Sequence, residues 1–415
     1  MKYGLIGEKL GHSFSKEIHE SINNYTYEIC EVSRDEFDNF MEKRDFVAIN
    51  VTIPYKEKVI PYLEYIDEAA KTIGAVNTIV NKNGKLYGYN TDFLGLRDLI
   101  LVNGIDITDK KVVILGDGGT AKTSFAVAKS LKAKSIHFVS LFPDENKCSY
   151  EDCYKIHSDA EIIINATPCG MYPKCDDTIL DIKKFKQVEA VIDVIYNPLK
   201  TSITRHAMEL GIKAVNGLYM LVAQAVYASG IFMDTKYDES IIKKIYRQIK
   251  KQKENIVLIG MPSSGKTTIG QLLSEKLNKT LIDTDDLIVD QIKMPISSFL
   301  TKDKEEAFRD IEEMVVSEVS AKNNLIISTG GGVIKRKNNI FRLKANGIVI
   351  FIDRPLPLLE ATNNRPLSSN RKDLEKLYLN RYDIYNKLCD IKVINDQDIF
   401  KVVEEILNEV ENFNE

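Results

Sequence analysis

The chain has 415 residues, room for two or three domains, and its 44% hydrophobic and 28% charged residues are the proportions of a water-soluble globular protein. A formal net charge of -4 offers no basic surface for nucleic acid or anionic lipid, and no apolar stretch is long enough to cross a bilayer. Six scattered cysteines without a C-x-x-C pair fit reduced thiols rather than a disulfide framework, and the five histidines have no metal-ligand spacing, which argues against zinc.

From Met1 to Gly7 the chain runs straight into a strand with no signal-peptide layout, so a cytoplasmic protein is expected. Residues 1–102 alternate short apolar strands, over 2–6, 46–53 and 78–80, with helical stretches. A second block, 103–218, opens with the apolar run Lys111–Leu115 and continues into Gly116-Asp117-Gly118-Gly119-Thr120-Ala121, a G-x-G-x-x-A turn, with a helix expected over 123–131. Strand, glycine turn and helix in that order form the dinucleotide fingerprint, and the strand–helix alternation after it predicts a parallel sheet.

The next strand, expected over 135–140, ends where a carboxylate would read the ribose 2′-hydroxyl of NAD or an arginine would take the 2′-phosphate of NADP. Ser140, Leu141 and Phe142 are neither, and Asp117 sets a carboxylate where pyrophosphate should lie. NADPH and NADH both stay open on these residues. Residues 219–251 read as helical and end in a basic run from Lys243 to Lys251. Ile241, Ile242, Ile245 and Ile249 recur there at helical spacing, so the run reads as a docked helix with a solvated face. Tyr246 and Lys250 have a Tyr-x-x-x-Lys spacing but lie far from the cofactor loop, and that match is set aside. A junction is expected at 252–255.

Beyond it, the strand Ile256-Val257-Leu258-Ile259 leads into Gly260-Met261-Pro262-Ser263-Ser264-Gly265-Lys266-Thr267, with a helix from Thr268. This is a phosphate-binding loop in the required strand–loop–helix setting. Backbone N–H groups from Gly260 to Thr268 cradle phosphate oxygens, Lys266 neutralises the β/γ charge, and the Thr267 hydroxyl is a ligand for Mg²⁺. Downstream, Asp283 and Asp285 stand two apart at an expected strand end, where both would point toward the nucleotide.

Several segments in the first 250 residues closely resemble the shikimate dehydrogenase signature: Gly11-His12-Ser13-Phe14-Ser15, Asn50-Val51-Thr52-Ile53-Pro54-Tyr55-Lys56, Gly74-Ala75-Val76-Asn77-Thr78, Asn90-Thr91-Asp92, Asn165-Ala166-Thr167-Pro168, Asp193-Val194-Ile195-Tyr196-Asn197-Pro198 and Asn216-Gly217-Leu218 through Gln224. From about residue 255 the chain resembles shikimate kinase, a P-loop kinase related to nucleoside monophosphate kinases. The resemblance implies an α/β architecture of three parts: a substrate domain (1–102, with helices 219–251 packing back), a Rossmann-like dinucleotide domain (103–218), and a nucleoside-monophosphate-kinase-like P-loop domain (255–415).

In the first half, the resemblance implies that Ser13 and Ser15 hold the substrate carboxylate. Thr52, Asn77, Asp92 and Gln224 would hold ring hydroxyls with Tyr196 nearby, and Lys56 and Asp92 would form the acid/base pair. The cofactor would lie along Gly116–Ala121 and Gly217. In the second half, Asp283 would help hold Mg²⁺ and Asp285 would grip substrate hydroxyls. Arg309 and Arg381 would clamp the shikimate carboxylate, Gly330, Gly331 and Gly332 would approach ring and γ-phosphate, and Arg365 would stabilise the transferred phosphoryl from a lid. The implied function is reduction of 3-dehydroshikimate to shikimate with NADPH, then phosphorylation of shikimate by ATP with Mg²⁺.

This chain departs from both patterns. The family's glycine loop usually has Ala where Asp117 stands, and an Asn-Arg-Thr-like stretch usually stands near Ser140–Phe142. The lid entry Ala361-Thr362-Asn363-Asn364-Arg365-Pro366 is short and lacks an adenine-stacking arginine. A kinase with a degenerate dehydrogenase half, or an NAD-linked quinate/shikimate dehydrogenase, therefore stand as rival readings, and oligomeric state is not legible.

Overall fold

A computed structural model describes residues 1–11, 13–300, 302–360 and 370–414. The chain forms two compact units, Met1–Lys251 and Gln252–Glu415.

The first unit contains two sheets. Strands β1 (Tyr3–Gly7), β2 (Tyr27–Glu31), β3 (Ala48–Val51), β4 (Tyr65–Ile66), β5 (Thr78–Lys82) and β6 (Lys85–Tyr89) form a mixed sheet in the order β2-β1-β3-β5-β6-β4. β1 pairs parallel with β2 and β3, while β5 runs antiparallel to β3 and β6. Asn83 and Gly84, both with positive φ (54° and 83°), make the β5–β6 turn, the two-residue connection that matches the twist of an antiparallel pair.

Strands β7 (Lys111–Leu115), β8 (Ser135–Val139), β9 (Lys147–Cys148), β10 (Ile162–Asn165), β11 (Ala190–Asp193) and β12 (Lys213–Val215) form an all-parallel sheet in the order β12-β11-β10-β7-β8-β9. That is the doubly wound dinucleotide-binding order, with its switch point between β7 and β10, beside the glycine loop. Both faces of β7 are covered: Val112 and Ile114 enter one core cluster, Val113 and Leu115 another. A continuous apolar run is what a parallel strand buried on both sides needs.

The second unit repeats the logic. β13 (Asn255–Ile259), β14 (Thr280–Asp283), β15 (Leu325–Ser328), β16 (Gly347–Asp353) and β17 (Ile391–Ile394) pair parallel in the order β14-β15-β13-β16-β17. Val257 and Ile259 face one core cluster, Ile256 and Leu258 the other.

The stretch 219–251 is helical as expected, in two helices, Leu218–Met233 and Ser240–Lys253, separated where Asp234 adopts φ 48°. Two expectations shift. The helix after the glycine turn is Gly119–Ser130, starting four residues before the expected 123. β14 ends at Asp283, and Asp285 lies in the first turn of helix Thr284–Ile292, so strand alternation does not govern the two aspartates.

Helix Asp92–Val102 packs on helix Leu218–Met233 through Gly95, where a Cβ would stand 2.6 Å from the Met220 carbonyl oxygen. Alanine's helix-propensity gain of about 1 kcal/mol does not offset forcing two helix backbones apart. Gly95→Ala is expected to lower the stability of the first unit by about 1–3 kcal/mol, read by denaturant titration of the full chain followed by circular dichroism.

Candidate active sites

In the first unit, three elements converge. Lys56 follows β3, Asp92 opens helix Asp92–Val102, and Thr120 lies in the first turn of the glycine-loop helix. Lys56 Nζ donates to Asp92 Oδ2 at 2.6 Å and to Thr120 Oγ1 at 3.4 Å. The pair is largely sheltered, its side chains 13% and 9% exposed. A lysine held this way can deliver a proton beside a bound dinucleotide.

Beside it, Asn77 Nδ2 donates to Thr91 Oγ1 (3.0 Å) and Gln224 Oε1 (3.4 Å), and the Thr91 backbone N–H donates to Asn77 Oδ1 (2.8 Å). Asn50, fully inside the motif, donates to the Asn77 carbonyl (3.2 Å) and Thr78 Oγ1 (3.1 Å) and accepts from the Tyr27 hydroxyl (2.7 Å). Ser13 Oγ donates to Ser15 Oγ at 3.0 Å. Tyr196 lies close enough to Ser13 for a hydrogen bond, while burial pushes its phenol up. Thr52 packs its methyl toward Gly7 rather than joining the Asn77 network. His12 lies outside the described residues.

The dinucleotide cradle is open. Gly116 has φ 103°, a conformation L side chains rarely adopt, and nothing stands within 4 Å of where a Gly118 Cβ would be. The helix at Gly119 aims its N-terminal amides across that space, where anions bind. These features fit a pyrophosphate. Gly217 has a packing reason of its own, since a Cβ there would overlap the Val194 carbonyl. Asp117 does not face the cradle unpartnered: its Oδ2 accepts from Ser140 Oγ (2.9 Å) and Lys147 Nζ (3.1 Å).

In the second unit, a cleft of about 510 Å³ runs from the phosphate loop to Arg381. Gly260 (φ 150°) and Gly265 (φ 93°) need glycine's freedom, and a Gly260 Cβ would stand 2.7 Å from the Ile352 carbonyl oxygen. Lys266 Nζ donates to the Gly260 (3.1 Å) and Met261 (2.9 Å) carbonyls. Ser264 Oγ is buried without a partner among the described residues, an orphaned donor at the loop's centre. Thr267 Oγ1 and Ser328 Oγ both donate to Asp283 Oδ2, at 3.1 and 2.9 Å, and Asp283 Oδ1 caps the following helix through the Asp285 N–H (3.0 Å). A hydroxyl and a carboxylate side by side are an all-oxygen donor set that suits Mg²⁺.

Arg309 and Arg381 are each 4% exposed and converge on the glycine triplet. Arg381 Nη1 donates to the Gly331 carbonyl at 2.6 Å, and Arg309 lies against the Gly332 Cα, where a side chain would collide with its guanidinium. Arg309 Nε and Arg381 Nη2 are buried without partners among the described residues, donors free for a planar anion. Asp285 Oδ1 lies against Gly330 in the same way. Arg365 and the lid motif lie outside the described residues.

Several supporting groups escaped the sequence reading. Glu312 Oε2 accepts from Arg309 Nη1 at 2.7 Å with both side chains nearly sealed, burial pushing its carboxyl up against the pull of the guanidinium. Its i,i+3 spacing from Arg309 was the available signal. Tyr385 donates to the Gly331 carbonyl at 2.6 Å, and Asn90 donates to the Ala75 carbonyl at 2.9 Å. Glu312→Gln removes the charge that aims Arg309. We expect the cleft's affinity for a planar carboxylate to fall about tenfold, measured by equilibrium titration of the full chain.

Fold and geometry together define a dinucleotide-linked oxidoreductase followed by a P-loop phosphotransferase. The chain is 40% identical over 266 residues to the shikimate dehydrogenase (NADP(+)) of Clostridium perfringens (strain SM101 / Type A), covering 60% of this chain and 98% of that protein. Among solved structures, shikimate dehydrogenase 1 from Peptoclostridium difficile shares 36% identity with a TM-score of 0.57 over 60% of this chain and 98% of its own. The Listeria monocytogenes shikimate 5-dehydrogenase in complex with shikimate and NAD shares 28% with a TM-score of 0.51, over 59% and 96%. The shikimate dehydrogenase substrate binding domain profile matches residues 5–79, and the shikimate kinase profile matches residues 262–411. The chain belongs to the shikimate dehydrogenase family and carries a shikimate kinase domain, two enzymes of the shikimate pathway.

Proposed function

We propose that the chain performs two consecutive steps, reducing 3-dehydroshikimate to shikimate and then phosphorylating shikimate at a ring hydroxyl. The observation that carries this reading is the Lys56–Asp92 pair, 2.6 Å apart at the rim of the glycine loop, in a chain whose other unit has two buried arginines facing a phosphate loop. One metabolite satisfies both sites.

In the first step NADPH or NADH supplies the hydride. As the ketone carbon accepts it, charge collects on the carbonyl oxygen, and Lys56 donates its proton there while Asp92 keeps the ammonium oriented. Ser13 and Ser15 hold the ring carboxylate, and Thr52, Asn77, Asp92 and Gln224 hold the hydroxyls with Tyr196 nearby. In the second step ATP supplies the phosphoryl group. Arg309 and Arg381 clamp the carboxylate, Asp285 holds ring hydroxyls, and Lys266 neutralises phosphate charge; Arg365 would act from the lid. Thr267 and Asp283 would hold Mg²⁺.

No helix among the described residues is long and apolar enough to cross a membrane, and all six cysteines are free. Both features support a cytoplasmic enzyme with small-molecule substrates. Shikimate given separately with NADP⁺ or NAD⁺, and with Mg-ATP, tests the two halves. Nicotinamide reduction in the first assay and ADP in the second support the reading, whereas ADP alone leaves a kinase joined to an inactive dehydrogenase fold.

A further inference from the structure

The end of β8 is where a dinucleotide-binding sheet reads the adenosine ribose, through a carboxylate on the 2′-hydroxyl or a cation on the 2′-phosphate. In this chain neither comes from the strand itself. Both come from elsewhere and meet each other. Asp117, from the glycine loop, reaches across to Ser140 at the end of β8 (2.9 Å), and Lys147, from β9, closes on the same carboxylate oxygen at 3.1 Å. Ser140 Oγ in turn accepts from the Phe142 N–H at 3.0 Å, which fixes the turn that follows the strand. Lys147 also pairs with Asp144 at 3.1 Å.

One ammonium therefore faces two carboxylates, Asp117 and Asp144, and the patch carries net negative charge. The Ser140 hydrogen bond, and behind it Lys147, holds the Asp117 carboxyl below the usual carboxylate range, while Asp144 and Asp117 push the Lys147 ammonium up. Both partners are charged at neutral pH. A 2′-phosphate arriving here finds its natural cation already engaged and a carboxylate in its way.

We infer that Asp117 is a cofactor-selecting residue that occupies Lys147 and so withholds it from the 2′-phosphate, leaving the dehydrogenase half with little discrimination between NADPH and NADH. The inference rests on the reading of this half as a nicotinamide-dependent dehydrogenase. Asp117 acts through charge. An asparagine keeps an oxygen to accept from Ser140 and leaves the loop's geometry in place, but it leaves Lys147 with Asp144 as its one carboxylate partner in the patch and removes the negative charge from the loop.

The test uses the full chain without dehydroshikimate and follows the fluorescence of NADPH and, separately, NADH as each is bound, with ADP present to fill the phosphate-loop site. The wild type is expected to bind the two within about tenfold of each other. Asp117→Asn should tighten NADPH about tenfold, the scale of one charge-assisted hydrogen bond, and leave NADH within twofold. Adding Lys147→Met to Asp117→Asn should remove that gain. The inference is overturned if the wild type prefers NADPH a hundredfold, if Asp117→Asn moves both nucleotides equally or neither, or if the gain survives loss of Lys147. Failure of the wild type to bind either nucleotide would overturn the dehydrogenase reading itself, and with it the inference.

Discussion

Lys56→Ala is expected to abolish dehydroshikimate reduction, with kcat falling by about 10³ or more, while shikimate phosphorylation stays within twofold of wild type. The size follows from the role proposed for the residue. A positioned proton donor contributes about 10²–10⁴, and the same ammonium also stabilises charge on the developing alkoxide. The variant strands Asp92, only 9% exposed on its side chain, without its 2.6 Å partner. Some loss of stability in the first unit therefore accompanies the loss of chemistry. Steady-state assays of both reactions on one preparation, with a thermal melt, separate the two. Intact phosphorylation with a melting transition near wild type places the defect in the chemistry, whereas loss of both activities contradicts the assignment of the two reactions to separate units, Met1–Lys251 and Gln252–Glu415.

The mirror experiment is Lys266→Ala. Phosphorylation should fall by about 10²–10³ or more, the range for removing one preorganised charge from a reacting centre, while reduction continues unchanged. Lys266 is 8% exposed and already held by two loop carbonyls, so its ammonium is positioned before nucleotide arrives. If phosphorylation persisted within tenfold, the phosphate loop would not be the working nucleotide site.

Much of the site was legible because its chemistry is local in sequence. The phosphate loop, the glycine turn and the motif carrying Lys56 each put a functional residue at a fixed offset from a strand end, and strands here are continuous apolar runs that announce themselves. Element edges were less legible. Gly119 and Thr120 are poor helix formers, yet the helix begins there. Asp283 reads as a strand residue but is also the cap that starts the next helix, which turns Asp285 onto a helical face.

What stayed hidden was pairing between distant segments. Lys147 and Asp117 are thirty positions apart and meet only because β9 pairs with β8 beside the glycine loop. The Asn50–Asn77–Thr91–Gln224 network needs four elements to close. Glu312 and Tyr385 were within helical reach of predicted site residues, three positions after Arg309 and four after Arg381. The Asp117 carboxylate, awkward when read along the sequence, proves to be satisfied by partners that only the folded sheet supplies.

The most direct measurement gives the full chain 3-dehydroshikimate, Mg-ATP and NADPH or NADH, and follows nicotinamide oxidation together with ADP release. ADP should appear after a short lag, never before nicotinamide is consumed and never in excess of it, because the kinase half has no substrate until the dehydrogenase half makes it. Nicotinamide oxidation that is never followed by ADP, or ADP release from added shikimate with neither nicotinamide ever consumed, would contradict the account.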